Sequence, residues 1–354
     1  MNSKLLSAVA IDVGYGNLKV MAAQQGGDVD TADAFLLPIG AAPIEHAPRL
    51  ANGSPQLHGG EEVLLPDGRR WVGGIDPTYL SGFARQTHEE YPSTDEYLAL
   101  YLAGLAKLEA LGHRTIDVLV TGVPCSQFVG PRRQQVKDAI TSRFKGVHVL
   151  GGNRTVEVRN AFVVAQPMGS YTGFLSEHPV QVKQGERDTR TVLVIDVGFY
   201  SVDWVLMQSG GMRDGSAGSS RTATSTILDA AAQAISAAHG GVPLSVEKLD
   251  GAFKSGDDIL RLGAIQVPFR GFIDAAAGEK ARIAMSKIAS AMRLTEDVVD
   301  HVLLAGGAAM LFHAAAKRAF PASEVTITPN PVMANARGYL GMALRYSELQ
   351  RKAG

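Results

Sequence analysis

Two stretches of the chain set an aspartate just ahead of glycines in a pattern that could hold phosphate. The first is Asp12-Val13-Gly14-Tyr15-Gly16-Asn17-Leu18-Lys19, and the second is Asp196-Val197-Gly198-Phe199-Tyr200-Ser201. Glycine turns free backbone N–H groups to wrap phosphate oxygens, and two carboxylates can hold a hydrated Mg2+ that neutralises the phosphate charge. Asp12 and Asp196 are therefore the candidate metal ligands and part of the candidate catalytic set. Gly14, Tyr15, Gly16 and Asn17 would form one nucleotide loop, and Gly198, Phe199 and Tyr200 the other. Lys19, just past the first turn, can return as a point charge against a β- or γ-phosphate. A third turn, Gly306-Gly307, follows another apolar run and precedes Met310. The alternative is that the aspartates are turn residues that cap neighbouring amides, a reading the repeat of the pattern disfavours.

These turns need elements to carry them. Ala8 to Ile11 and Leu18 to Ala23 are apolar runs that read as two strands joined at the first turn, and Thr191 to Ile195 with Val202 to Met207 repeat the pattern. The repeat, AVAIDVGYGNLKVMAA against VLVIDVGFYSVDWVLM, points to two related halves. Helical spacing marks 95–111, 131–144, 224–239, 273–292 and 335–349, and 116–123 reads as a buried strand. The segment 38–74, rich in Pro, Gly and His, reads as a small excursion or subdomain and a poor candidate for core. The segment 176–190 reads as an exposed loop.

The chain has 354 residues, with 34 Lys+Arg against 35 Asp+Glu, a net charge of -1 and one cysteine. That length suits about two domains. The balanced charge gives no electrostatic reason to bind nucleic acid or anionic lipid directly. A lone Cys125 excludes an internal disulfide, fits a small core residue and suggests a reducing, cytoplasmic setting. No apolar run approaches the roughly 20 residues of a membrane helix, and the start of the chain is too polar for a signal peptide.

Taken together, IDVGYGNLK, IDVGFYSVD, VLLAGGAAMLF and NPVMANARGYLGMAL resemble the first phosphate loop, second phosphate loop, adenosine loop and returning C-terminal segment of the actin, sugar-kinase and chaperone ATPase superfamily. Size and the absence of a long extra domain look most similar to the bacterial actin-like plasmid-segregation ATPases, the ParM/StbA-like group. The resemblance implies an α/β actin-like ATPase fold, with two related ribonuclease-H-like domains around a nucleotide cleft that takes ATP and Mg2+. The domains would span 1–165, with a small subdomain at about 36–95, and 166–334, with a C-terminal helix at 335–354 returning to the first. By the same resemblance Gln166, which in VVAQPMGSYTG follows an apolar strand and precedes a Pro-Met-Gly turn, is the candidate catalytic residue beside the γ-phosphate. An amide orients a water rather than removing its proton. Lys248, with Glu247, is the candidate ribose contact.

The implied task is nucleotide-dependent filament formation, with plasmid DNA reached through a DNA-binding adaptor and no direct contact to nucleic acid or membrane. The basic residues Arg132, Arg133, Lys137, Arg143 and Lys145 would meet acidic pairs such as Glu61-Glu62 or Glu89-Glu90 on the next subunit. Two rival readings stay open: a small-molecule kinase, with Asp203 as the candidate base, and a non-polymerising ATP-binding scaffold.

Overall fold

The computed structural model describes residues 5–129, 131, 133–177, 189–213, 215–295 and 298–353. The chain forms two units, Met1–Val180 with Val332–Gly354, and Gln181–Pro331.

Unit 1 begins with the first expected hairpin, β1 (Leu5–Val13) antiparallel to β2 (Leu18–Gln24), followed by β3 (Asp33–Leu37). The segment read as a small excursion or subdomain makes a small sheet of its own, β4 (Gly40–Pro43), β5 (Glu61–Leu64) and β6 (Arg70–Ile75), with β6 in the middle. Ala42, Ala47, Val72, Ile75 and Leu80 form its core. Trp71 is also buried there, under the guanidinium of Arg69 at 5.8 Å from the ring centroid. Leu36 and Leu37, counted with this subdomain in the sequence reading, belong to β3 of the main sheet.

Helix α1 (Asp95–Ala110) follows, capped by Thr94, whose hydroxyl accepts from the Tyr97 amide, with Asp95 and Glu96 at its positive end. Then come β7 (Thr115–Val123), α2 (Cys125–Val129), α3 (Arg133–Phe144), β8 (Gly146–Gly151), β9 (Arg154–Ala165) and α4 (Gln166–Glu177). The main sheet runs β3-β2-β1-β7-β9-β8. The C-terminal helix Ala334–Ala353 packs Ala336, Tyr339, Leu340 and Ala343 against Ala8, Ala10, Val118 and Val120 of the sheet. The Pro-Met-Gly after Gln166, expected to turn, is helical, because proline is tolerated in a first helical turn where its missing N–H costs nothing. Helix α4 thus clusters with unit 1, whereas the sequence reading began the second domain at 166. Of the expected loop 176–190, Ser176 and Glu177 end α4, and 178–188 lie outside the described residues.

At one edge of unit 1, Phe144 stacks on Tyr101 at 3.6 Å between ring centroids. The His148 Nε2–H donates to the Phe144 carbonyl at 2.9 Å. Burial lowers the His148 pKa below its ordinary 6.5. The unfolded chain then binds more protons than the folded one as pH falls through about 6.5. The stability due to this neutral ring is therefore complete above that pH and lost below it. Melting curves from pH 7.5 to 5 are expected to shift downward less in His148→Phe than in the wild type, and identical slopes would remove His148 from the acid response.

Unit 2 repeats the wiring of the main sheet. β10 (Thr191–Val197) pairs antiparallel with β11 (Val202–Gln208), which also carries the short strands β12 (Gly211–Met212) and β13 (Gly218–Ser220). Helices α5 (Thr224–Ala238) and α6 (Val246–Ser255), the ribbon β14 (Ile259–Leu262) and β15 (Ile265–Pro268), and α7 (Arg270–Arg293) follow. The unit closes with β16 (His301–Ala305), α8 (Ala309–Ala319) and β17 (Glu324–Ile327). β10 runs parallel to β16, and β16 to β17, as β1 does to β7 and β7 to β9. Trp204 of β11 is buried, with the Lys287 ammonium 5.5 Å from its ring centroid. A Cβ on Gly218 would lie 2.2 Å from that ring. Among the described residues no helix is long and apolar enough to cross a membrane.

Candidate functional site

The two hairpins match residue for residue. In unit 1, Asp12 faces Lys19 across β1 and β2, and Val13 faces Leu18. In unit 2, Asp196 faces Asp203 and Val197 faces Val202. Four residues close each hairpin, and each first glycine donates its amide to the carbonyl three residues on, Gly14 to Asn17 at 3.1 Å and Gly198 to Ser201 at 3.0 Å. The chemistry opposite the aspartate differs, being a lysine in one half and a second carboxylate in the other.

In the first hairpin, Lys19 Nζ donates to Asp12 Oδ2 at 2.8 Å, with the Asp12 side chain 2% exposed and that of Lys19 15%. Lys19 is thus engaged by the aspartate of its own hairpin. A Cβ on Gly14 would come within 3.1 Å of that ammonium, so the glycine keeps the turn close to the ion pair. Asp12 Oδ1 is buried with no hydrogen-bond partner. Tyr97 lies close by, where burial and then the Asp12 charge push its pKa far above the ordinary tyrosine value. Its hydroxyl therefore stays protonated.

Tyr15, expected among the phosphate-loop contacts, is turned to another task. Its hydroxyl donates to the His88 carbonyl at 2.8 Å, and its ring sits 4.7 Å from that of Tyr91. The side chain anchors the turn to the segment 83–91, while Gly16 and Asn17 stay half-buried at the tip.

In unit 2 the structure brings together Asp196, Gly198 and Gly306. Gly306 has φ +87°, and a Cβ there would lie 2.3 Å from the Val197 carbonyl oxygen and 2.5 Å from Asp196 Oδ1. Both the backbone conformation and the contact demand glycine. The carbonyls of Gly198 and Phe199 accept from the Thr224 and Ser225 amides at 3.3 and 2.8 Å, and the Thr224 hydroxyl adds a 2.7 Å bond to Gly198. The Val197 carbonyl accepts from the Ala308 amide at 3.4 Å. The second turn is thereby seated on the positive starts of α5 and α8, the ends that favour anions. Gly307 and Met310 are exposed beside it, Met310 by 71%.

Other expected residues fall elsewhere or differ in role. Lys248 is exposed on the first turn of α6, whose amide is capped by Ser245, and lines a groove between α5 and α6 with Asp229 and Gln233. The α6 side chain that approaches the second turn is Lys254, paired with Asp250 at 2.9 Å and with its Nζ 6.0 Å from the centroid of the Phe199 ring. Tyr200 packs under Arg221. Asp203 is 2% exposed and accepts from the Ser201 hydroxyl. Gln166 is the half-buried first residue of α4. Cys125 is buried.

The acidic pair Glu61-Glu62 is consumed within unit 1. Glu61 meets Lys107 at 2.9 Å and Arg154 at 3.5 Å, and Glu62 meets Arg70 at 2.7 Å. Arg143 donates to the Pro92 and Thr94 carbonyls. Arg133 and Lys137 flank Phe128, and Arg132 lies outside the described residues.

Thr224, Ser201, Asp250 and Lys254 were missed by sequence reasoning. Thr224 stands at a helix start, where a hydroxyl residue is a legible signal. The Asp250–Lys254 spacing of four is a legible helical pair.

The residues present fit a nucleotide with its magnesium ion. Asp12 keeps an unsatisfied buried carboxylate oxygen, and Asp196 faces a second carboxylate, the hard oxygen donors that Mg2+ takes. Among the described residues no three His, Cys, Asp or Glu side chains cluster as a complete metal cage.

Residues 10–169 match the family described as actin like proteins N terminal domain, and residues 194–317 the family described as archaeal actin homologue MreB-like, C-terminal. No curated protein matches the chain in sequence. Among solved structures, Ta0583, an archaeal actin homolog, is 18% identical with a TM-score of 0.74, covering 97% of this chain and 99% of that one. Its complex with ADP gives 20% and 0.71, covering 95% and 99%. A 15-stranded ParM filament from Clostridium botulinum gives 16% and 0.70, covering 98% and 100%. Bacillus thuringiensis ParM with ATP gives 14% and 0.63, covering 98% and 99%.

Proposed function

The chain belongs to the actin-like proteins, and from that premise we propose that it is an ATPase that binds ATP with Mg2+ and assembles into nucleotide-dependent filaments. Its proposed task is plasmid DNA segregation through a separate DNA-binding adaptor. The observation that supports this most is the repeated hairpin, which sets Asp12 and Asp196 at equivalent positions beside glycine turns. Solved relatives of the same fold are a ParM filament, a ParM with ATP and an archaeal homolog with ADP. The near-zero net charge places no strong repulsion in the way of self-association.

Each group has a role in this reading. Backbone amides at the tips of the two turns would bind phosphate oxygens, and Asp12 and Asp196 are the residues that would hold the metal. The metal ion, when bound, offsets phosphate charge. Lys19, already paired with Asp12, is the cation of the first turn. Lys254 takes the place expected for Lys248, since it is the α6 cation that reaches the second turn. Gln166 accepts a hydrogen bond from the attacking water and aligns it, while the water's proton goes to phosphate or solvent.

The kinase reading needs a carboxylate that can reach a substrate hydroxyl. Asp203, buried and held by Ser201, is poorly placed for that task.

Sedimentation and light scattering with ATP against ADP test assembly. Pelleting that requires ATP is expected, and none at any nucleotide or protein concentration would sink the filament reading. Gln166→Ala is expected to slow hydrolysis at least a hundredfold, the order of a lost water-positioning or acid–base group, with nucleotide affinity kept. Unchanged turnover would remove Gln166 from the mechanism.

A further inference from the structure

The first turn of α4 is held by the C-terminal helix through contacts that leave almost no slack. Tyr339, fully buried, donates its hydroxyl to the Gln166 carbonyl at 3.2 Å. That hydroxyl rests on Gly122, where a Cβ would lie only 1.9 Å away. Thr121 is in register with Ile11, so Gly122 is the next residue along the strand beside Asp12. Gly122 is also in register with Val164, two residues before Gln166. One hydroxyl therefore ties the neighbour of the Asp12 strand to the residue that opens α4.

One turn earlier on the same helix, Asn335 Oδ1 accepts from the Ser170 amide at 3.2 Å and from its hydroxyl at 2.6 Å. Gly338 backs onto Gly169, with room for no Cβ because one would sit 1.7 Å from the Gly169 carbonyl oxygen. A helix crossing this close fixes both rotation and register, since packed interiors do not deform continuously.

We propose that Tyr339, supported by Asn335, is a positioning residue for Gln166: it sets where the amide points without touching substrate. This rests on the reading of Gln166 as the residue that aligns the attacking water. A misplacement of about 1 Å at a reacting centre can cost a hundredfold in rate, so a bond that fixes the start of α4 acts on the chemical step more than on affinity.

The test is Tyr339→Phe in the full chain, which removes one oxygen and leaves the packing. Single-turnover ATP hydrolysis is expected to slow about threefold to tenfold, the range of one hydrogen bond, with the ADP dissociation constant within twofold of wild type. Asn335→Ala is expected to behave alike, and Asn335→Asp, which keeps the acceptor for Ser170, to recover much of the rate. Unchanged hydrolysis in both Tyr339→Phe and Asn335→Ala overturns the proposal, and so does an equal loss of affinity and rate, the mark of a structural role. Gln166→Ala, run alongside, separates the two ideas. If it stops hydrolysis while Tyr339→Phe does not, the positioning proposal alone falls; if it changes nothing, the reading beneath falls and takes the proposal with it.

Discussion

Gly306→Ala is expected to abolish nucleotide binding and to lower the melting temperature of unit 2 by about 10 °C. Two costs add. A side chain at φ +87° costs about 1 to 2 kcal/mol. Forcing a methyl within 2.3 Å of the Val197 carbonyl and 2.5 Å of Asp196 Oδ1 adds about 1 to 3 kcal/mol of overpacking. A domain near 150 residues loses about 2 to 4 °C per kcal/mol. The binding defect follows from the same contact: the methyl must displace either the Asp196 carboxylate or the strand end that carries it. Thermal melting and titration with a fluorescent ADP analogue check both effects. Wild-type melting and binding in this variant would mean that the Gly306 turn does not abut Asp196.

Asp12→Ala is expected to cost about 3 to 5 kcal/mol and to lose nucleotide binding as well. Removing one partner of a buried ion pair leaves the other uncompensated, and Lys19, only 15% exposed on its side chain, has limited access to water. The double variant Asp12→Ala/Lys19→Met separates stability from function. It is expected to regain much of the lost stability, because a buried pair replaced by apolar groups is often neutral, but none of the binding. A double variant as unstable as the single one would show that Lys19 is not the source of the loss, and one that bound nucleotide normally would remove the first turn from the site.

The hairpins were the most legible part of the fold, because a short continuous apolar run stopping at Asp-Val-Gly, found twice, has few other readings. Their register was not legible. That Asp12 faces Lys19 while Asp196 faces Asp203 depends on the four-residue closure of each turn. Tyr15 shows a different limit: its partner, the His88 carbonyl, is 73 residues away, and nothing local announces it. The small sheet was hidden because Gly, Pro and His between its strands outweigh three runs of four to six residues. Helix α4 was not legible because the proline at its second position, followed by Met-Gly, reads as a turn. Lys248 follows from place along the chain alone, whereas the α6 side chain that approaches the second hairpin is Lys254, six residues later. Glu61 could not be assigned from sequence, since Lys107 and Arg154 reach it from a helix and a strand far along the chain.

The two tryptophans fall one to a unit, Trp71 in the small sheet of unit 1 and Trp204 in the hairpin strand of unit 2. Each is buried, and each has a cation above its ring. The molecule therefore carries two intrinsic optical labels whose emission can be assigned by a single substitution. In Trp71→Phe the remaining signal comes from the residue next to Asp203 on the second hairpin strand, and in Trp204→Phe from the sheet against which α1 packs. Events in either unit can be followed in unlabelled protein, separately and in real time.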